Sequence, residues 1–187
     1  MTRRLLSMGF FDDATRPGHD EPGPRGHPWD PPAAEFAKAG ASALLLARTE
    51  VVAVAVTAVW AFREGFEFWI GAQFRRRGLA LEDTTAEQSL HVGVEFADGR
   101  KVANVGRVPD PAGSEAGGLI LSPRSFGGGH WQKSRSYWVW PLPPPGPLTF
   151  VCEWAAFGIP ESRVEVDAQL IRGAARDSIE LWPADGG

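Results

Sequence analysis

The chain has 187 residues, a net charge of −4 and eight tryptophans, a length that suits one domain able to bury roughly 70% of its unfolded surface without a disulfide or metal staple. The acidic balance argues against nucleic acid or an anionic membrane as a partner. Cys152 is the only cysteine, which excludes an intrachain disulfide and fits a reducing, cytoplasmic setting, and no run reaches the ~18 apolar residues a membrane-spanning helix needs.

Chain order begins with MTRRLLSMGFF. Arg3 and Arg4 before a short apolar stretch imitate a signal peptide, but the stretch ends in Asp12-Asp13 without a small-residue cleavage site. Met8 is an alternative start. Residues 12–32 hold six prolines, several glycines, mixed charge and one aromatic, Trp29. Such a segment buries too little apolar surface to offset its ordering entropy. Residues 1–40 therefore read as a Pro/Gly-rich arm, with a short helix over 33–39 (AAEFAKA) between Pro32 and Gly40. Residues 41–183 read as the folded domain and 184–187 as a tail.

From Ser42 the apolar period becomes two. In 51–62 (VVAVAVTAVWAF) straight alternation puts Val52, Val54, Val56, Ala58 and Trp60 on one face, and both faces are apolar, as in a covered strand. In 66–74 (FEFWIGAQF) Phe66, Phe68, Ile70, Ala72 and Phe74 point inward and Glu67, Trp69 and Gln73 outward. After a polar connection, 89–97 places Leu90, Val92, Val94 and Phe96 inward and His91 and Glu95 outward. Asp98-Gly99 then predicts a two-residue hairpin pairing Ala97 with Arg100, which sets Val94 opposite Ala103 and Val92 opposite Val105. Residues 106–118 read as a loop, 119–121 as a short strand and 122–134 (SPRSFGGGHWQKS) as a second long loop.

Residues 135–154 (RSYWVWPLPPPGPLTFVCEW) read as a hairpin about a proline turn, with Trp138, Trp140, Phe150, Cys152 and Trp154 on one face and Tyr137, Val139, Val151 and Glu153 on the other. Residues 163–171 (RVEVDAQLI) read as a strand with Val164, Val166, Ala168 and Leu170 inward; 173–183 is open between a helical turn and an edge strand, with Ile179 and Trp182 closing the core. About eight or nine strands with regular turn signals, and no amphipathic helix of ten residues, predict a mainly β chain: an antiparallel β-sandwich, immunoglobulin-like or C2-like.

The run WVWPLPPPGPLTFVCEWAAFGIPESR (138–163) resembles a signature of functionally uncharacterised proteins from high-GC bacteria, and LLLARTEVVAVAVTAV and LHVGVEFADGRKVAN are similar to other parts of that family. The resemblance spans roughly residues 27–183 and departs at Ala155, where a proline is expected. It implies one intact domain of bacterial origin, in keeping with 16 Arg against 3 Lys, and carries over no activity, cofactor or site residue.

The chemistry-bearing residues offer little catalytic pattern. Cys152 sits mid-strand on a tryptophan face, a setting for a small hydrophobe rather than a reactive thiolate. His19, His27, His91 and His130 fall in separate segments without metal-ligand spacing, so neither metal nor cofactor is expected. The glycines at 127–129 fit no phosphate-loop motif, Arg75-Arg76-Arg77 reads as a solvated basic patch, and Pro141 to Pro145 as a stiffened turn. Tryptophan is the excess. Trp131, beside Lys133 and Arg135 in a Gly-rich loop, has the composition of a binding hot spot, bordered by Tyr137 and Glu153, with Trp69 on an outer face. The expectation is a non-enzymatic interaction module with an unknown protein partner, its oligomeric state open. The alternative is a small-molecule or carbohydrate binder, or an enzyme, with a cleft lined by Trp69 and Trp131 and drawing on Glu67, Glu95 and Glu153.

Overall fold

A computed structural model describes residues 35–36, 38–75, 89–105, 118–129 and 131–181. Most of the arm, Trp29, Trp182, His19, His27, His130, Arg76, Arg77 and the tail lie outside these residues. The described elements are β1 (Glu35–Phe36), β2 (Lys38–Arg48), β3 (Val52–Ala61), β4 (Phe66–Phe74), β5 (His91–Phe96), β6 (Lys101–Ala103), β7 (Ile120–Gly128), β8 (Gln132–Trp140), β9 (Pro147–Trp154), β10 (Ile159–Asp167), α1 (Ala168–Arg176) and β11 (Ile179–Glu180). The chain is mainly β and its strand pairs are antiparallel. A five-stranded sheet of order β2-β3-β4-β8-β7 faces a four-stranded sheet of order β10-β9-β5-β6, and β1 pairs with β11. The expected helix over 33–39 gives way to extended chain at β1 and at Lys38, because pairing with β11 and β3 outweighs the helix propensity of alanine.

The alternation of β4 is realised: Phe66, Phe68, Ile70, Ala72 and Phe74 are all buried, each large apolar side chain contributing roughly 1.5–3 kcal/mol. Opposite them β5 buries Val92, Val94 and Phe96, and β9 buries Leu148, Phe150, Cys152 and Trp154. The layers meet through Phe68 and Phe150, whose ring centroids are 5.2 Å apart edge to face. Trp154 lies against Phe74 at 5.9 Å and Phe157 at 4.4 Å.

In β3 the phase breaks. Val56 pairs with Ile70 but Ala58 with Trp69, so Thr57 is an extra residue in a bulge. Val59 and Ala61 consequently turn inward, and Trp60, expected inside, is 42% exposed on the outer face. The Asp98-Gly99 hairpin exists with a different register. Phe96 N–H donates to Arg100 C=O and Gly99 N–H to Phe96 C=O, giving a three-residue loop with Gly99 left-handed at φ 85°. The register slips by one: Val94 faces Val102, Gly93 faces Ala103, and Val102 is the buried residue.

The loop expected over 122–134 is mostly strand, since β7 and β8 form a hairpin closed by Gly129 N–H donating to Gln132 C=O. The hairpin expected across 135–154 does not form. β8 pairs with β4 and β7 in one sheet, while β9 pairs with β5 and β10 in the other, so the proline segment crosses between layers. The phase of β8 is inverted accordingly. Tyr137 and Val139 join the core, Trp140 is half-buried, and Trp138 is buried on the opposite face. Trp138 is covered there by Phe62, edge-on at 5.4 Å. Gly65 must be glycine, since a Cβ would lie 2.4 Å from the Val139 carbonyl and 2.6 Å from the Trp138 ring.

The strand expected through Leu170 ends at Asp167, whose side chain accepts the Gln169 N–H at 2.9 Å and caps α1. Ala168, Ile171 and Ala175 are buried at helical spacing and Leu170 is 57% exposed. Ile179, expected to close the core, is 51% exposed. No described helix is long and apolar enough to cross a membrane.

Candidate functional site

Registers place Lys133 beside Ala72 and Arg135 beside Ile70, on the core-facing side of the five-stranded sheet. Charged side chains tolerate that side by laying their stems over apolar surface while the heads reach outward. Both remain half-buried, around a cavity of about 30 Å³ shared with Ile70, Ala72, Leu90 and Trp154. The irregularity between Pro123 and Phe126 in β7 brings Phe126 opposite Arg135. The Lys133 Nζ and the Arg135 guanidinium carbon each stand 5.8 Å from the Phe126 ring centroid, within reach of a cation–π attraction. Phe126 is nevertheless 64% exposed, and Trp131, in the connection at the end of the same hairpin, is 50% exposed. Exposed Phe126 against two cations, with exposed Trp131 at the same end of the hairpin, forms this site.

The other expected members are elsewhere. Tyr137 is 2% exposed, stacked on Phe68 at 5.5 Å, and its hydroxyl accepts from Asn104 Nδ2 at 3.1 Å. It holds the core and does not border the surface. Trp69 is half-buried on the outer face of the five-stranded sheet, opposite in facing to Lys133 and Arg135. Glu153 lies on the outer face of the four-stranded sheet, where its Oε2 is 3.4 Å from His91 Nδ1. It does not oppose Tyr137, which belongs to the other layer.

That second outer face carries a trough of about 320 Å³ over Gly93, Ala103 and Val151. His91–Glu153 stands at one end and Glu95 paired with Arg163 at the other. Glu95 pairs in register with Thr149, four residues from Glu153 along β9, a separation of roughly 13 Å at the strand rise. The two carboxylates are engaged by different partners, Glu153 by His91 and Glu95 by Arg163, instead of facing one another as a catalytic pair, and Glu67 is in the other sheet.

Cys152 is 1% exposed, and burial pushes its thiol up to about 11, so it is no thiolate nucleophile at neutral pH. Arg75 pairs with Glu50 at 2.9 Å. Among the described residues no three His, Cys, Asp or Glu side chains come together as metal ligands.

Sequence reasoning missed Phe126, because three following glycines read as a loop, and Asn104, because it follows a three-residue strand. The only signal for Phe126 is that Ile120 to Phe126 can be extended against the aromatic run of β8. Set beside protein-family models, curated proteins and solved structures, the chain finds no match in any of the three comparisons.

Proposed function

We propose that this protein is a non-enzymatic interaction module that binds a protein partner through the end of the β7–β8 hairpin. One observation supports the reading: Phe126 is 64% exposed against Lys133 and Arg135, and Trp131, two residues before Lys133 in the chain, is 50% exposed. Aromatics and arginine are the side chains that concentrate binding energy at protein interfaces. On a chain of net charge −4 this local positive end favours a partner presenting acidic and apolar side chains. A cytoplasmic location belongs to the same reading, supported by a single, buried, unpaired cysteine.

The small-molecule alternative rests on the trough beside His91 and Glu153, not on a cleft between Trp69 and Trp131. It is the weaker reading, because the charged groups at both ends of the trough already pair with each other.

The experiment compares the parent chain with Trp131→Ala combined with Arg135→Ala. Proteins captured from lysate are identified, and the recovered partner is then titrated directly. The double variant is expected to weaken that binding by 2 kcal/mol or more, roughly 30-fold, at an unchanged melting temperature. Equal affinity in parent and variant sinks the proposal.

A further inference from the structure

Trp60 stands on the outer face of the five-stranded sheet, 42% exposed, because the bulge at Thr57 turns it out of the core. Directly opposite on β4 is Glu67, and two residues further along that strand is Trp69, on the same face. Diagonal positions on neighbouring strands lie roughly 7–8 Å apart, within reach of aromatic side chains. Glu67 is half-buried, with Trp60 across one side of β4 and Trp138 across the other. It pairs with no Arg, Lys or His among the described residues, and a carboxylate partly withdrawn from water gains from a cation beside it. Two accessible indoles with this carboxylate between them form a ledge suited to an occupant that is both apolar and cationic.

The chain itself supplies such a segment beside the ledge. β2 enters the sheet with Ala39 paired to Trp60, so residues 1–34, which precede β1, are tethered near the end of β3 that carries the ledge. Pro31 is eight residues from Ala39, a reach of up to roughly 26–29 Å for extended chain and several times the width of the ledge. Residues 22–32 read PGPRGHPWDPP. Proline fixes φ, and proline-rich sequence favours the polyproline II helix, with about three residues per turn. At that period Pro22, Arg25, Pro28 and Pro31 align as one ridge. Such ridges dock on aromatic surfaces at low entropic cost, because the helix is preformed. Arg25, in the same ridge, brings a cation to Glu67.

We propose that residues 22–32 dock in cis on the outer face of the five-stranded sheet, with Pro28 and Pro31 against Trp60 and Trp69 and Arg25 paired with Glu67. Tethering gives the segment an effective concentration in the millimolar range, so a contact too weak to hold a free peptide closes within one chain. The ledge is on the opposite face of the sheet from Lys133 and Arg135, so this docking is independent of the hairpin reading.

Trypsin digestion of the full chain tests it, because cleavage after Arg25 requires the segment to leave the sheet. A site docked nine-tenths of the time is cut about tenfold more slowly. Trp60→Ala and Glu67→Gln are each expected to speed cleavage after Arg25 about three- to tenfold, while cleavage after Arg4, outside the ridge, keeps its rate. Melting temperatures confirm that each variant is folded. Pro28→Ala combined with Pro31→Ala is expected to shift the indole Nε1–H resonances of Trp60 and Trp69 and to leave those of Trp131 and Trp154 in place. Protection of Arg25 is expected to be equal at about 5 µM and about 500 µM protein, as for an intramolecular contact. Protection that grows with concentration puts the segment on a second copy and overturns docking in cis. Parent-like cleavage after Arg25 in both ledge variants, or Trp60 and Trp69 resonances indifferent to the proline changes, overturns the proposal altogether.

Discussion

Asn104 follows the last residue of β6 and ties the two layers together. Its Oδ1 accepts the Val92 N–H at 2.8 Å, and its Nδ2 donates to the Leu90 carbonyl at 3.0 Å and to the Tyr137 hydroxyl at 3.1 Å. Tyr137 belongs to the five-stranded sheet and Val92 to the four-stranded one, so a single amide bridges them within reach of the core. Replacing it with Ala leaves three polar groups without their partner, at a cost of roughly 1–3 kcal/mol for each that stays dry. Asn104→Ala is expected to lower unfolding free energy by about 2–3 kcal/mol in urea melts, and Tyr137→Phe by less, because it removes the hydroxyl together with its need. A loss under about 0.5 kcal/mol for Asn104→Ala, the level of an ordinary surface change, contradicts this role.

At the scale of elements, turn chemistry and bulges decide where each strand starts, stops and changes face. β10 runs as extended chain through Val166 and converts to α1 within one residue, because Asp167 satisfies an amide at the start of the helix. Ile171 and Ala175 then close over β2 and β3 as the buried side of a short helix that would be marginal alone. Asp167→Ala is expected to cost about 1 kcal/mol, and Asp167→Asn much less, since asparagine caps as well as aspartate. Thermal melts of the two variants measure the difference, and equal melting temperatures would show that the cap contributes nothing. In β3 the single extra residue at Thr57 rotates the last third of the strand, which is why Val59 replaces Trp60 in the core.

For the molecule as a whole, a dry interior between the sheets has a consequence in alkaline solution. Cys152 lies among Val92, Phe150 and their neighbours with its thiol raised by burial from 9.0 to about 11. Between those values the unfolded chain ionises its thiol while the folded chain keeps it protonated. The native state therefore binds more protons, and stability falls as pH rises from about 9 towards 11. Two pKa units correspond to an order of 2–3 kcal/mol. Urea melts at pH 8 and pH 10.5 are expected to show the parent losing more stability than Cys152→Val, which has no thiol. Parallel losses would mean that the thiol is hydrated in the folded state.

Hydrophobic periodicity alone was enough to mark β4, β5 and β9, to orient their buried side chains and to foretell a mainly antiparallel β chain, because a strand buried on one face must alternate. It also placed Trp131, Lys133 and Arg135 near one another, since they lie within five residues. Periodicity cannot count residues that add no hydrophobic signal. The Thr57 bulge and the third residue of the Asp98-Gly99 loop each shift a register by one, and one residue reverses every side chain beyond it. Strand partnership is likewise a long-range choice. Whether β8 pairs with β9 or with β4 depends on which apolar faces can be covered together, and covering Tyr137 and Val139 against Phe68 and Phe66 decided it. The gathering of Phe126 over Arg135 exists only once β7 and β8 pair with the irregularity between Pro123 and Phe126, which no local pattern announces.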